Sequence, residues 1–158
     1  MRSSYVFDTG AFYTLGHYYP SRFPTIWTHI NGLVSDGRLW SVREVRRELE
    51  NNCPFPHIEE WLANNLQVFK KPDAVEMDVV TQIFKIPIFL GLIRRKNILK
   101  GLPVADPFVV ASAKVHKGTV VTREVLKDNA ARIPTVCRHF EVKCMTVEQF
   151  LEKEDLIF

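Results

Sequence analysis

The sequence predicts an α/β protein, a three-layer α/β/α sandwich around a mostly parallel sheet of four or five strands. Short runs of β-branched and aromatic residues alternate along the chain with segments whose apolar residues recur every three or four positions. Such alternation is typical of parallel sheets, in which a helix connects each strand to the next. The chain has 158 residues, of which 46% are hydrophobic and 25% charged, and this composition fits one globular domain spanning residues 1–158.

The first third of the sequence predicts a strand–helix–strand–helix unit. Residues 5–7 form a β-prone run that ends at Asp8, and residues 23–34 carry apolar side chains at helical spacing. A second strand is predicted at residues 39–42, and a helix follows it at residues 44–51. Together these segments form a βαβ crossover and place Asp8 at the end of the first strand.

The middle of the chain, residues 56–99, predicts a helical insertion. Helical patterns occupy residues 58–66 and 75–84, with Pro72 between them and Pro87 after them. This segment separates the first βαβ unit from the rest of the predicted sheet.

The last third of the sequence returns to the alternation of helices and strands. Asp106 and Pro107 begin a helix, because Pro is favoured at the first helical position. That helix ends before a β-branched strand at Thr119–Thr122. Another strand is predicted at residues 141–145, and Thr146 is expected to cap a final helix.

Composition narrows the classes of function. The longest apolar run, residues 83–93, is shorter than the ~18 residues that cross a bilayer, so no membrane association is expected. The amino terminus has no leader pattern, which predicts a cytoplasmic location. The net charge of +3 is compatible with a nucleic-acid partner without indicating one. Cys53, Cys137 and Cys144 lack the CxxC spacing of zinc sites and are expected to be reduced thiols.

Acidic residues stand at the predicted carboxyl ends of strands or on helices that begin there. Ligands of parallel α/β sheets bind at this edge, so these acids are expected to share a pocket. Grouped carboxylates repel one another unless a cation is bound, and Mg²⁺ and Mn²⁺ prefer oxygen ligands. The predicted catalytic and metal-binding acids are Asp8, Glu48, Asp106 and Glu124. Thr9 and Thr122 are expected to support them, and Glu44 is the alternative to Glu48 on the same helix face.

The segments that carry these acids resemble, in order and spacing, the four motifs of PIN-domain nucleases. They are residues 5–9, 41–48, 106–113 and 121–124. The resemblance covers nearly the whole chain and implies a Mg²⁺- or Mn²⁺-dependent ribonuclease, in particular a VapC-like toxin of a toxin–antitoxin pair. It also implies an RNA substrate, an antitoxin protein as partner, and a homodimer. The fourth motif has Glu124 where these nucleases more often have Asp, and the helical middle suggests a PIN-like branch.

Two further features bear on RNA contact. Arg94, Arg95 and Lys96 form a basic run before the Asp106 motif and are expected to contact phosphates. Four aromatic residues follow the first motif and can either stack on unpaired bases or pack partly in the core, namely Tyr13, His17, Tyr18 and Tyr19.

Other functions remain as alternatives at this stage. Residues 8–10 also match the signature of aspartic proteases, whose all-β chains disagree with the helical periodicity. Phosphatases that form an aspartyl-phosphate usually carry a second acid where Gly10 stands. The non-enzymatic alternative is a PIN-like module that binds RNA or protein without turnover.

Overall fold

A computed structural model of the chain describes residues 2–92, 104–126 and 132–157. Five parallel strands form one sheet in the order β3-β2-β1-β4-β5. The strands are β1 (Tyr5–Phe7), β2 (Leu39–Val42), β3 (Phe69–Lys70), β4 (Thr119–Thr122) and β5 (Cys144–Thr146). The described α-helices are α1 (Thr9–Leu15), α2 (Pro24–Ser35), α3 (Arg43–Asn51), α4 (Pro56–Asn64), α5 (Ala74–Phe84), α6 (Asp106–His116), α7 (Ile133–His139) and α8 (Val147–Lys153).

The central strand β1 is buried on both faces. Tyr5, Val6 and Phe7 have no exposed surface, and successive side chains of a strand point to opposite sides of the sheet. On one side, Phe150 of α8 packs edge-to-face on Tyr5 and Phe7, with ring centroids 4.9 and 5.1 Å away. One helical layer therefore covers the Tyr5 and Phe7 side of β1.

The other side of the sheet is covered by α6, which packs against α5. Val6 lies beside Trp40 of β2 in the register, and the Trp40 indole N–H donates a hydrogen bond to the Ser112 hydroxyl of α6 at 2.9 Å. Helices thus cover both faces of a parallel sheet. The predicted three-layer α/β/α sandwich is confirmed.

The residues predicted as a helical insertion also contain an edge strand. The two residues of β3, Phe69–Lys70, pair with Ser41 and Val42 of β2, and a strand this short has no periodicity that a sequence pattern can show. The apolar run that begins at Ile83 continues into a 3-10 turn at Pro87–Leu92. None of the described helices is both long enough and apolar enough to cross a membrane.

Two local features of the last third differ from the sequence prediction. The strand predicted at residues 141–145 begins later, at Cys144, because Glu141 has a left-handed backbone (φ 58°) that a strand does not accommodate. Helix α7 was not predicted, and it begins with Pro134 in its first turn, where Pro is tolerated. Thr146 caps α8 through a capping box, as predicted.

Candidate functional site

Asp8 directly follows β1 and is almost completely buried, with 3% of the residue exposed. Its backbone is extended (φ −87°, ψ 177°), and its Oδ1 accepts a hydrogen bond from the Ala11 N–H at 2.7 Å, which caps α1. The Thr122 hydroxyl, at the end of β4, donates a second hydrogen bond to the same carboxylate. Asp8 is therefore both a helix cap and a buried acid at the carboxyl edge of the sheet.

The surroundings of Asp8 raise its pKa from 3.8 to about 7. Desolvation by burial is the largest cause, and the carboxylates of Glu124 and Glu48 raise the pKa further. The hydrogen bonds from Thr122 and from the Ala11 N–H act in the opposite direction, because they stabilise the charged form. Glu48 and Glu124 therefore both lie within electrostatic range of Asp8.

The two glutamates of α3 face different partners. The Thr9 hydroxyl donates a hydrogen bond to Glu48 Oε2 at 2.5 Å, which orients this half-buried carboxylate toward the end of β1. Glu44 is buried and accepts a hydrogen bond from Arg43 at 3.1 Å. Its Oε2 is also buried and has no hydrogen-bond partner among the described residues. Of the two, Glu48 is the one whose charge raises the pKa of Asp8.

Glu124, two residues beyond β4, has a structural role in addition to its charge. Its Oε2 accepts a hydrogen bond from the backbone N–H of Ile133 at 2.8 Å, at the start of α7. Its own N–H donates to the Thr122 hydroxyl oxygen at 3.1 Å. The longer side chain of Glu, compared with Asp, allows the carboxylate to reach α7 while its charge still acts on Asp8.

The direction of α6 places Asp106 at the same edge of the sheet. This helix ends at His116, shortly before β4 begins at Thr119, so it runs opposite to the strands. Its 11 residues span about 15 Å. Asp106, its half-buried first residue, therefore lies toward the carboxyl ends of the strands, on the side where Asp8 is found.

The side chains at this edge are of the chemical type that a hard divalent cation binds, but among the described residues no three of them bring ligand atoms within 4.8 Å of one another. Asp8, Glu48 and Glu124 offer carboxylate oxygens, which Mg²⁺ and Mn²⁺ prefer. A cation would also relieve the repulsion that Glu124 and Glu48 impose on Asp8 and would stabilise its charged form.

A second group of potential metal ligands lies near the opposite edge of the sheet. The His116 Nε2 atom is 2.8 Å from Glu76 Oε1 and 3.7 Å from Asp73 Oδ2, and the three side chains are of types that can hold a metal ion. Asp73 also caps α5 by accepting from the Glu76 N–H at 2.8 Å. The cluster joins the start of α5 to the end of α6, about 15 Å along α6 from Asp106. It was not predicted, because residues 76 and 116 have no characteristic sequence spacing.

An arginine side chain lies beside the acidic pocket. Arg123, which the sequence did not single out, lies with its guanidinium carbon 5.3 Å from the centroid of the Tyr13 ring. Tyr13 is half-buried, and its hydroxyl donates a hydrogen bond to the Asn52 carbonyl oxygen at 2.5 Å. The predicted phosphate contacts Arg94, Arg95 and Lys96 lie outside the described residues.

Two solved structures share this fold. PAE2754 from Pyrobaculum aerophilum aligns with a TM-score of 0.53 and 16% sequence identity, over 97% of this chain and 97% of that chain. A chain in the crystal structure of DNA-bound VapBC from Salmonella typhimurium aligns with a TM-score of 0.52 and 17% identity, over 92% of this chain and 99% of that chain. No curated protein matched the sequence.

The likeness to the VapBC chain confirms at the level of fold the PIN-like resemblance that the four motifs suggested. A family model described as Domain of unknown function (DUF4411) matches residues 5–158, which include every described strand and helix. The chain has a PIN-like fold and belongs to the family Domain of unknown function (DUF4411).

Proposed function

We propose that this chain is a Mg²⁺- or Mn²⁺-dependent endoribonuclease. The observation that carries the proposal is the convergence of Asp8, Glu48 and Glu124 at the carboxyl edge, where both glutamates raise the pKa of Asp8. Asp106, at the start of α6, is the fourth acid of the proposed site. A divalent cation held by these carboxylates would supply a hydroxide nucleophile and would stabilise the leaving oxygen of a phosphodiester.

The chain's own residues would hold the carboxylates in place. Thr122 and the Ala11 N–H restrain Asp8, and the Thr9 hydroxyl restrains Glu48. Such partners keep ligand side chains from rotating away, so little ordering is needed when a cation and RNA bind. Burial of Asp8 also keeps bulk water from competing for its oxygens.

The test is cleavage of a mixed pool of single-stranded RNA with Mg²⁺, with Mn²⁺ and with a chelator. The parent protein is expected to cleave only with a divalent cation, and Asp8→Asn to lose cleavage. Asp36→Asn is the matched control, because it makes the same change at an exposed residue before β2, at the other edge of the sheet. Equal cleavage by the parent and Asp8→Asn would contradict the proposed site, and cleavage that the chelator leaves intact would contradict its metal dependence.

We propose further that the chain is the toxin of a toxin–antitoxin pair, acting in the cytoplasm as a homodimer. The likeness to a chain of a VapBC complex supports this. Expression of the parent in bacterial cells should arrest growth, and Asp8→Asn should not. Co-expression with the protein of the neighbouring gene should restore growth and co-purify a complex. A monomeric mass in light scattering would contradict the homodimer but would not contradict the proposed nuclease activity.

A catalytically inactive RNA- or protein-binding module is the second candidate. It is favoured by Glu124, whose carboxylate accepts a hydrogen bond from the start of α7 and so has a structural role without any metal. This candidate predicts RNA binding of equal affinity in the parent and Asp8→Asn, with no cleavage by either.

A further inference from the structure

Arg123 extends its side chain across the first turn of α1, beside the acidic pocket. It stands between Thr122, which donates to Asp8, and Glu124. A Cβ atom added to Gly10 would lie 2.8 Å from Arg123 Cγ, so this path depends on the absence of a side chain at position 10. The guanidinium then lies over Tyr13 at 5.3 Å from the ring centroid.

The Tyr13 ring is a fixed platform for this cation. Its hydroxyl is tied to the Asn52 carbonyl oxygen across α1 and α3. Arg123 is exposed, and within residues 2–92, 104–126 and 132–157 no carboxylate lies within 4.0 Å of its guanidinium. A cation–π contact with an aromatic face orders a guanidinium and leaves N–H groups available as donors.

We propose that Arg123 binds a backbone phosphate of the RNA beside the bond that the acidic pocket would cleave. This inference rests on the proposed ribonuclease function and deepens it. Clustered carboxylates repel a phosphodiester, so a substrate needs positive charge at the rim to approach. Guanidinium is suited to that role, because its donors match two phosphate oxygens at once. Gly10 and Tyr13 are then positioning residues for Arg123.

The test compares four variants in cleavage and binding of a short single-stranded RNA. Arg123→Ala is expected to raise KM about tenfold, which is the effect of one lost charge-assisted hydrogen bond, with a smaller change in kcat. In an Asp8→Asn background, which cannot turn over, it should raise Kd similarly and reduce the salt dependence of log Kd by about 0.7. Arg123→Lys should bind RNA more tightly than Arg123→Ala but less tightly than the parent, because Lys keeps the positive charge and lacks the paired N–H donors of guanidinium.

Gly10→Ala tests the geometry without changing any charge. Its Cβ would displace Arg123, so KM and Kd should rise in the same direction as in Arg123→Ala. Arg2→Ala is the control, because Arg2 is an exposed arginine before β1, at the opposite edge of the sheet, and it should leave KM and the salt slope unchanged. Thermal unfolding identifies any variant that fails to fold; Tyr13→Leu, which removes the platform, then replaces Gly10→Ala.

The outcomes separate this inference from the proposed function. If the parent cleaves RNA and Arg123→Ala matches it in KM, Kd and salt slope, the inference is wrong and the nuclease stands. If Arg123→Ala weakens RNA binding but no Asp8-dependent cleavage is found, the proposed nuclease activity is wrong and the phosphate contact of Arg123 is supported. If the parent does not bind RNA, both are wrong.

Discussion

The Thr122 hydroxyl donates a hydrogen bond to the Asp8 carboxylate and so joins the ends of two neighbouring strands. β1 and β4 pair with Phe7 opposite Val121, and the Asp8 N–H donates to the Val121 carbonyl oxygen at 3.1 Å. The Thr122 hydrogen bond favours the charged carboxylate, yet burial outweighs it and the pKa of Asp8 reaches about 7. The folded protein thus disfavours the charge on Asp8 unless a cation is bound.

The free energy of unfolding of the metal-free protein is expected to decrease as pH rises from 3.8 to about 7, because of Asp8. In this window the unfolded chain has lost the Asp8 proton and the folded chain keeps it, so raising the pH favours unfolding. Below it Asp8 is protonated in both states, and above it the penalty is constant. Asp8→Asn removes the penalty, which is on the order of a few kcal/mol, while Asn still caps α1.

Urea unfolding in chelator, at several pH values on both sides of this window, measures the effect. The difference in unfolding free energy between Asp8→Asn and the parent should be small in acid and should favour Asp8→Asn above pH 7. Asp36→Asn, at an exposed position, should show no such trend. A pH-independent difference would contradict the raised pKa of Asp8.

Mg²⁺ or Mn²⁺ should stabilise the parent protein above pH 7, because a cation that binds only the folded state shifts the unfolding equilibrium. The gain is about 2.7 kcal/mol at a cation concentration of about 100 times Kd. The site of the ion can be found by comparing how much the cation raises the melting temperature of the parent, of Asp8→Asn and of His116→Ala. Stabilisation that Asp8→Asn loses and His116→Ala keeps places the cation at the carboxyl edge. The reverse pattern would place it at the Asp73, Glu76 and His116 cluster.

Substitutions of Glu124 should separate its charge from its contact with α7. Glu124→Gln keeps an acceptor for the Ile133 N–H, so stability should be nearly unchanged while activity falls about 10- to 100-fold. Glu124→Asp keeps the charge but shortens the side chain, and losing the helix-start contact should cost about 1 kcal/mol of stability. Rates of RNA cleavage measure the activity of the two variants, and the midpoints of urea unfolding measure their stability. Equal stability of the two variants would mean that the Ile133 contact contributes nothing.

The two glutamates of α3 should respond differently. Glu48→Gln is expected to lower cleavage strongly with little change in stability, because Glu48 is half-buried and its charge acts on Asp8. Glu44→Gln keeps an oxygen that can accept from Arg43 and removes only the charge, so stability should change little and activity should be largely kept. Cleavage assays at a temperature where both variants are folded decide the question. Loss of activity in Glu44→Gln alone would exchange the two roles.

Local patterns were sufficient for much of the fold. The buried runs of β1 and β4 are β-branched or aromatic, and the helices between them carry apolar residues at helical spacing. The order of strands and helices then places the acids at the carboxyl edge, because parallel strands end together. The two-residue strand β3 and helix α7 were missed, since neither has enough length or periodicity to be distinguished from a loop.

The sequence by itself predicted that Asp8 and Glu124 follow strands, that Asp106 begins a helix and that Glu48 lies on the helix after β2, all at one edge of a parallel sheet. Only the tertiary structure decided which side chains meet there. Glu44 and Glu48 share one helix face, and it is the position of Thr9 on α1 that distinguishes them. Likewise, the contact of Arg123 with Tyr13 depends on the absence of a side chain at Gly10. The periodicity of apolar residues shows which side of a helix or strand is buried. Which side chains contact one another depends on their distance in space, and that distance is set by the packing of elements far apart in the sequence.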